Sequence, residues 1–141
     1  MITLNKVKLI HRGSQASEET GFKNQSKNSE GIVGNCKFTF NPLNKDYDWL
    51  VIQDDVSKIL PNQIEVLACP KENTILVTTE PVTITKYGKC FTEQFKYVIT
   101  NQDAKALSHP NAIRSQTGNV WFYGKSYDEI IAVKEQKKKK K

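Results

Sequence analysis

Thr74-Ile75-Leu76-Val77-Thr78-Thr79-Glu80-Pro81 is the stretch that decides the fold. Its apolar core does not alternate with polar residues. It is short, β-branched at two of its three apolar positions, and closed by a carboxylate and a proline. A strand that is apolar on both sides belongs in the interior of a parallel sheet, where both faces are covered. Pro81 lacks an amide and restricts Glu80 to extended backbone, so the strand stops there with its acidic residue fixed in direction.

Outward from this stretch the same grammar recurs. Tyr47-Asp48-Trp49-Leu50-Val51-Ile52 ends in a continuous apolar run and stops at Gln53-Asp54-Asp55. Residues 7–10, 36–40, 64–68 and 96–100 are further predicted strands, and Val120-Trp121-Phe122-Tyr123-Gly124 follows a Gly-Asn turn. Ile84, Tyr87, Phe91 and Phe95 recur near helical spacing and predict a short helix over 86–95, with Gly88 weakening it. Residues 103–107 read as one helical turn. Residues 128–135 read as a terminal helix capped by Ser126. Residues 12–34 are rich in Ser, Asn, Gln, Glu and Gly and read as a long polar loop, with Phe22, Ile32 and Val33 as its only apolar anchors. Several buried strands separated by connectors and small helices predict an α/β chain with a mainly parallel sheet.

In such sheets ligands sit beyond the carboxyl ends of the strands. The two acidic stops, Asp54-Asp55 and Glu80, hold that position. Adjacent carboxylates can offer hard oxygens to a divalent cation, or cap a loop or helix start. Glu80 suits a general base beside a cleft, or a structural hydrogen-bonding role. Trp49, Trp121 and Tyr123 could stack on sugar rings or pack in the core. Phosphate-loop, dinucleotide and nucleophile-elbow motifs do not occur.

Composition narrows the class. The chain has 141 residues, enough for one domain with a true core. Hydrophobic residues make up 38% and charged residues 26%, with no apolar run of bilayer length, which argues against a membrane span. The first residues lack the apolar run of a signal peptide, so a cytoplasmic location is expected. Five of the six net positive charges lie in the lysines at 137–141. The body is nearly neutral, so specific nucleic-acid binding is not expected. The tail reads as disordered, with peripheral contact to an anionic membrane face as its functional alternative. Cys36, Cys69 and Cys90 are odd in number and without Cys-x-x-Cys spacing. They predict reduced, mostly buried thiols rather than a disulfide framework or a zinc site. His11 and His109 form no ligand pattern, and no metal site is expected.

Residues 75–102, ILVTTEPVTITKYGKCFTEQFKYVITNQ, resemble the central segment of glycosyltransferase family 10, the α-1,3/4-fucosyltransferases and related enzymes. In that segment a strand ends in Glu-Pro or Glu-Ser-Pro, and an aromatic-bearing helix and another strand follow. Residues 47–55, His109-Pro110 and residues 121–124 fit the same pattern, as in the bacterial, lipopolysaccharide-type members. The order and spacing of these words carry the resemblance, which covers about residues 36–124. It implies a Rossmann-like sheet forming one half of a GT-B glycosyltransferase. Residues 36–133 would be the N-terminal, acceptor-facing domain, residues 1–35 a strand plus a partly flexible polar loop, and residues 134–141 a basic tail. It implies an inverting reaction without bound metal, with GDP-fucose as donor in the complete enzyme and a glycan acceptor such as lipopolysaccharide. By motif match Glu80 is the inherited base, and Asp54, Asp55 and Trp121 are weaker acceptor-side matches.

The words expected of the family's donor-binding half are missing. The chain is therefore expected to need a C-terminal donor domain as partner, and to transfer no fucose alone, because donor and acceptor must be held together to react. Five lysines imply adenine-rich codons, so a slippage-derived short product of a longer transferase is one expectation. A non-catalytic carbohydrate-binding module, or an anionic-surface binder acting through the lysine tail, is the alternative.

Overall fold

The computed structural model describes residues 3–13, 15–56, 60, 62, 64–116 and 124–132. Seven strands form one sheet: β1 (Asn5–His11), β2 (Ile32–Val33), β3 (Cys36–Thr39), β4 (Trp49–Gln53), β5 (Thr74–Val77), β6 (Tyr97–Thr100) and β7 (Ala112–Arg114). Their order across the sheet is β2-β3-β1-β4-β5-β6-β7. All pairings are parallel except β2 with β3. The helices are α1 (Gln15–Asn24), α2 (Lys89–Thr92) and α3 (Tyr127–Ala132). This is an α/β, Rossmann-like fold. From β1 the chain crosses to β3 on one side, then returns past β1 to β4 and continues outward. The crevice between β1 and β4 is thus the point where the winding reverses, the place where such sheets bind ligands.

Register explains the core. Ile10 pairs with Ile52 and Ile52 with Leu76, while Leu76 pairs with Val98. These four side chains share one face and are essentially fully buried. Tyr47, Leu50, Leu60, Cys69, Phe95 and Leu107 complete the cluster. Phe91 and Phe95 meet edge to face, their ring centroids 5.3 Å apart, and bring the end of α2 down onto it.

The sheet departs from the sequence expectation in four places. Residues 12–34, expected as loop, carry α1. Helix α1 buries none of its residues fully, so it has no apolar stripe to read. It is anchored by Phe22, whose ring lies 4.6 Å from that of Phe38 and 5.5 Å from that of Phe40. Residues 64–68, expected as a strand, join no ladder. The helix expected over 86–95 shrinks to four residues, because Gly88 is extended (φ −65°, ψ 143°) and can only cap it. β7 was not foreseen; three residues are too few for a periodic signal. The terminal helix begins as expected at Ser126. There the Ser126 amide donates to Glu129 at 2.6 Å and the Glu129 amide to the Ser126 hydroxyl at 3.3 Å, a capping box. Of the thiols, only Cys69 is buried, and Cys90 is exposed, which corrects the expectation of mostly buried cysteines. No helix among the described residues is long and apolar enough to cross a membrane.

The 64–68 segment is held by charge instead of a ladder. Lys8 is wholly buried on the core face of β1. Its ammonium donates to the Pro42 carbonyl at 2.6 Å and to Glu65 Oε1 at 3.0 Å, and lies 5.2 Å from the centre of the Tyr47 ring. Glu65 Oε1 also accepts from Lys45 at 2.7 Å and from the Tyr47 hydroxyl at 2.9 Å. The Tyr47 hydroxyl in turn accepts from the Ala68 amide at 2.9 Å. The apolar alternation is therefore inverted: Glu65 points inward while Ile64 and Val66 are 64% and 71% exposed. Burial pushes the Lys8 ammonium below its ordinary pKa, with Glu65 opposing. Burial also opposes ionisation of Glu65, but its three donors outweigh that and hold it below the ordinary carboxylate value. Burial pushes the Tyr47 phenol up to about 12, so it remains a donor.

Glu65→Gln strands the Lys8 charge. It should cost about 3–5 kcal/mol by urea denaturation, and Lys8→Met with Glu65→Leu should recover most of it. The folded-state pKa of Glu65 lies below its ordinary 4.5. Its contribution is therefore complete above that value and is lost as pH falls through the folded value. The Glu65→Gln protein should show a flatter acid limb in stability measured between about pH 5 and pH 2.

Candidate functional site

Four neighbouring strands deliver polar residues to the same end of the sheet. Arg12 follows β1, Asp54 follows β4, Thr78-Thr79-Glu80 follow β5, and Gln102 lies just past β6. The ladder continues beyond the strands and fixes this backbone: the Arg12 amide donates to the Gln53 carbonyl at 3.3 Å, the Asp54 amide to Val77 at 2.9 Å and the Thr78 amide to Ile99 at 2.9 Å. Beneath the site the Thr78 hydroxyl donates to that of Thr100 at 2.6 Å.

Asp54 is the hub. It is only 2% exposed, and its φ of 68° lies in the left-handed region that Asp and Asn tolerate better than most residues. This conformation turns its side chain toward β5. Oδ1 accepts from the Thr79 amide at 2.8 Å and from the Tyr87 hydroxyl at 2.5 Å; Oδ2 accepts from the Thr79 hydroxyl at 2.5 Å. Burial resists the charge, but the Thr79 and Tyr87 donors and the nearby Arg12 guanidinium outweigh it and hold Asp54 below its ordinary carboxylate value. Burial and the Asp54 charge push the Tyr87 phenol well above its ordinary value, so it stays protonated and donating. Asp54 caps a neighbouring strand end. Its oxygens accept from the chain itself.

Glu80 differs. Its side chain is 29% exposed, and its carboxylate meets Arg12 Nη2 at a loose 3.5 Å. The Arg12 guanidinium is itself 38% exposed and also lends its charge to Asp54. A cleft of about 210 Å³ opens on the Arg12 side, lined by Arg12, Asp54, Asp55, Lys86, Tyr87 and Phe91; Glu80 reaches its edge through Arg12. Asp55 is among the lining residues. Trp121 and Tyr123 lie outside the described residues, as does the lysine tail. Trp49 sits within β4 and is half-buried, so it belongs to the sheet rather than to this cleft. No group of three or more metal-ligating side chains occurs among the described residues.

Two other features compete for attention. A hollow of about 210 Å³ on the core face is lined by Leu50, Ile52, Phe91, Phe95 and Glu65. Its one charged group, Glu65, is already engaged through Oε1 by three donors of the chain. His11 lies at the crevice. Its Nδ1 accepts from the Gly13 amide at 2.9 Å and its Nε2 faces Glu18 at 3.5 Å. Both ring nitrogens are thus engaged, and the histidine braces the β1–α1 turn. A side chain at Gly13 would meet the ring at 2.9 Å.

Sequence reasoning located Asp54, Asp55 and Glu80 by their place after apolar runs. It missed Arg12 and Gln102, which follow a short strand and a Thr-Asn pair and carry no motif of their own. No family model, curated protein or solved structure matches the chain.

Asp54→Ala should lose at least about 3 kcal/mol, since it leaves buried donors unpaired and forces alanine into the left-handed region. Asp54→Asn, which tolerates that region and keeps one acceptor, should lose less; equal losses by urea denaturation would overturn the hub role. Gly13→Ala should cost about 1–3 kcal/mol by the same measurement, because the imidazole must move.

Proposed function

We propose that this chain is the acceptor-side half of a fucosyltransferase-like glycosyltransferase, with Glu80 as the general base. The resemblance of residues 75–102 motivates the reading. The single observation that supports it is the contrast between the two strand-end carboxylates. Asp54 is saturated by its own chain, whereas the Glu80 carboxylate, among the described residues, keeps one loose cationic contact, to an Arg12 that lines a cleft at the winding reversal.

In this reading an acceptor hydroxyl approaches Glu80 from the cleft. As the acceptor oxygen bonds the fucose anomeric carbon, its proton passes to the Glu80 carboxylate. The bond from that carbon to the GDP oxygen breaks, and GDP leaves with the electron pair. Inversion follows because the acceptor attacks opposite the leaving group. Arg12 orients Glu80 and can bond acceptor oxygens through its remaining N–H groups. Tyr87 and Phe91 give the cleft an aromatic wall suited to a sugar face. GDP-fucose and its binding half come from the partner domain.

The test is fucose transfer from GDP-fucose to a lipopolysaccharide oligosaccharide, with a separately made donor-binding half supplied. Glu80→Gln should lower transfer by about 10²–10⁴-fold while acceptor binding changes little. Transfer that survives Glu80→Gln removes the base assignment. Oligosaccharide binding without transfer in any combination favours a carbohydrate-binding module.

A further inference from the structure

Glu80 sits at the head of a turn where its backbone amide bonds the Tyr87 hydroxyl, while among the described residues the far side of the turn lacks such a tether to the hub. Pro81 and Ile84 are exposed, Ile84 to 70%, and Pro81 has no amide to give. The turn's internal bonds run from the Ile84 and Thr85 amides to the Pro81 carbonyl, at 2.9 and 3.0 Å. Its exposed apolar residues add little packing to these bonds.

Gln102 supplies what packing does not. It lies two residues past the end of β6 and is 3% exposed. Its backbone amide donates to the Thr100 hydroxyl at 3.1 Å, in the Thr78–Thr100 hydroxyl pair under the site. Its side-chain amide donates twice, to the Glu80 carbonyl and to the Thr85 carbonyl, both at 2.9 Å. These carbonyls bracket the turn. One NH2 group thus closes both ends of the 80–85 segment and ties them to a core strand. Its Oε1 meets no partner among the described residues, so the donors carry the role of this side chain.

We propose that Gln102 is the positioning residue for Glu80: its buried amide clamps the 80–85 turn and so holds the Glu80 carboxylate against Arg12 at the edge of the cleft. The inference rests on the reading of Glu80 as the base. The chemistry is selective. Only a primary amide offers two hydrogens from one atom at this reach. Asparagine is one methylene short. Glutamate at the same length presents a carboxylate to two carbonyl oxygens, and leucine has no donor. Gln102 touches no reacting atom; it acts through the turn, and Arg12 restrains the carboxylate from the other side.

The experiment uses the full chain. In the unmutated protein the Gln102 side-chain amide protons should exchange with solvent at least about tenfold more slowly than a free primary amide, as buried bonded donors do. Exchange at the free rate overturns the clamp without any variant. In Gln102→Leu and Gln102→Glu, exchange at the Ile84 and Thr85 amides should accelerate about tenfold or more, while the Leu76 and Val98 amides of the core strands stay unchanged. Unchanged exchange at Ile84 and Thr85 overturns the proposal. With the donor-binding half supplied, kcat should fall about 10²-fold while the acceptor KM shifts less than about twofold, because a base displaced by about 1 Å loses rate rather than affinity. A loosened turn with kcat intact shows that Gln102 holds the turn but does not position the base, and overturns the proposal. If the unmutated chain transfers nothing with the donor half present, the functional reading fails instead, and the exchange measurements alone decide the clamp.

Discussion

The carboxylate of Asp54 is the interaction on which the working end of this sheet depends. A strand leaving a parallel sheet exposes an amide that no neighbour takes, and burying it unpaired would cost about 1–3 kcal/mol. Here Thr79 is that residue, and Asp54 receives both its amide and its hydroxyl. The geometry demands a left-handed backbone at residue 54, which most side chains resist. The same carboxylate draws in Tyr87, on the approach to α2. One buried charge therefore joins the end of β4, the end of β5 and the helix that covers the core. Glu80 follows Thr79 directly, so its backbone inherits that placement.

Lys8 imposes a comparable constraint on the core face. A lysine in the second position of Val7-Lys8-Leu9-Ile10 looks like a residue for solvent, yet the central strand leaves it no route there. A buried ammonium needs a counter-charge and acceptors, and the chain brings Glu65 and the Pro42 carbonyl to it. This explains why residues 64–68 fail to become a strand. Pairing them in a ladder by their apolar alternation would turn Glu65 to the wrong side. The charge outweighs the pattern, and Ile64 and Val66 are left outward as the consequence.

What the sequence made legible follows from the same forces. Strands β4 and β5 were readable because both of their faces are apolar, and their ends were readable because an acid followed each. Helix α1 was not, since it buries no residue fully and is fastened mainly through Phe22. β7 was not, since three residues carry no period. In the site, Asp54 and Glu80 stood out by position, but their division of labour did not: nothing in Gln53-Asp54-Asp55 reveals that the first aspartate is spent on Thr79. Arg12 and Gln102 were invisible because their importance lies in which strands become neighbours, and β1 and β6 are separated from β5 by long stretches of chain.

That division of labour has a physical logic. A carboxylate surrounded by donors is stabilised as an anion and is a poor proton acceptor, which suits Asp54 to structure. A carboxylate with one loose contact among the described residues keeps lone pairs available, which suits Glu80 to the base role proposed for it. Adding donors to the carboxylate itself would fix its direction and weaken the base. Gln102 avoids the conflict by holding the main chain on either side of the turn, with both bonds falling on carbonyls and neither on the carboxylate. Orientation is thus imposed through the backbone, and the carboxylate oxygens themselves are left to Arg12.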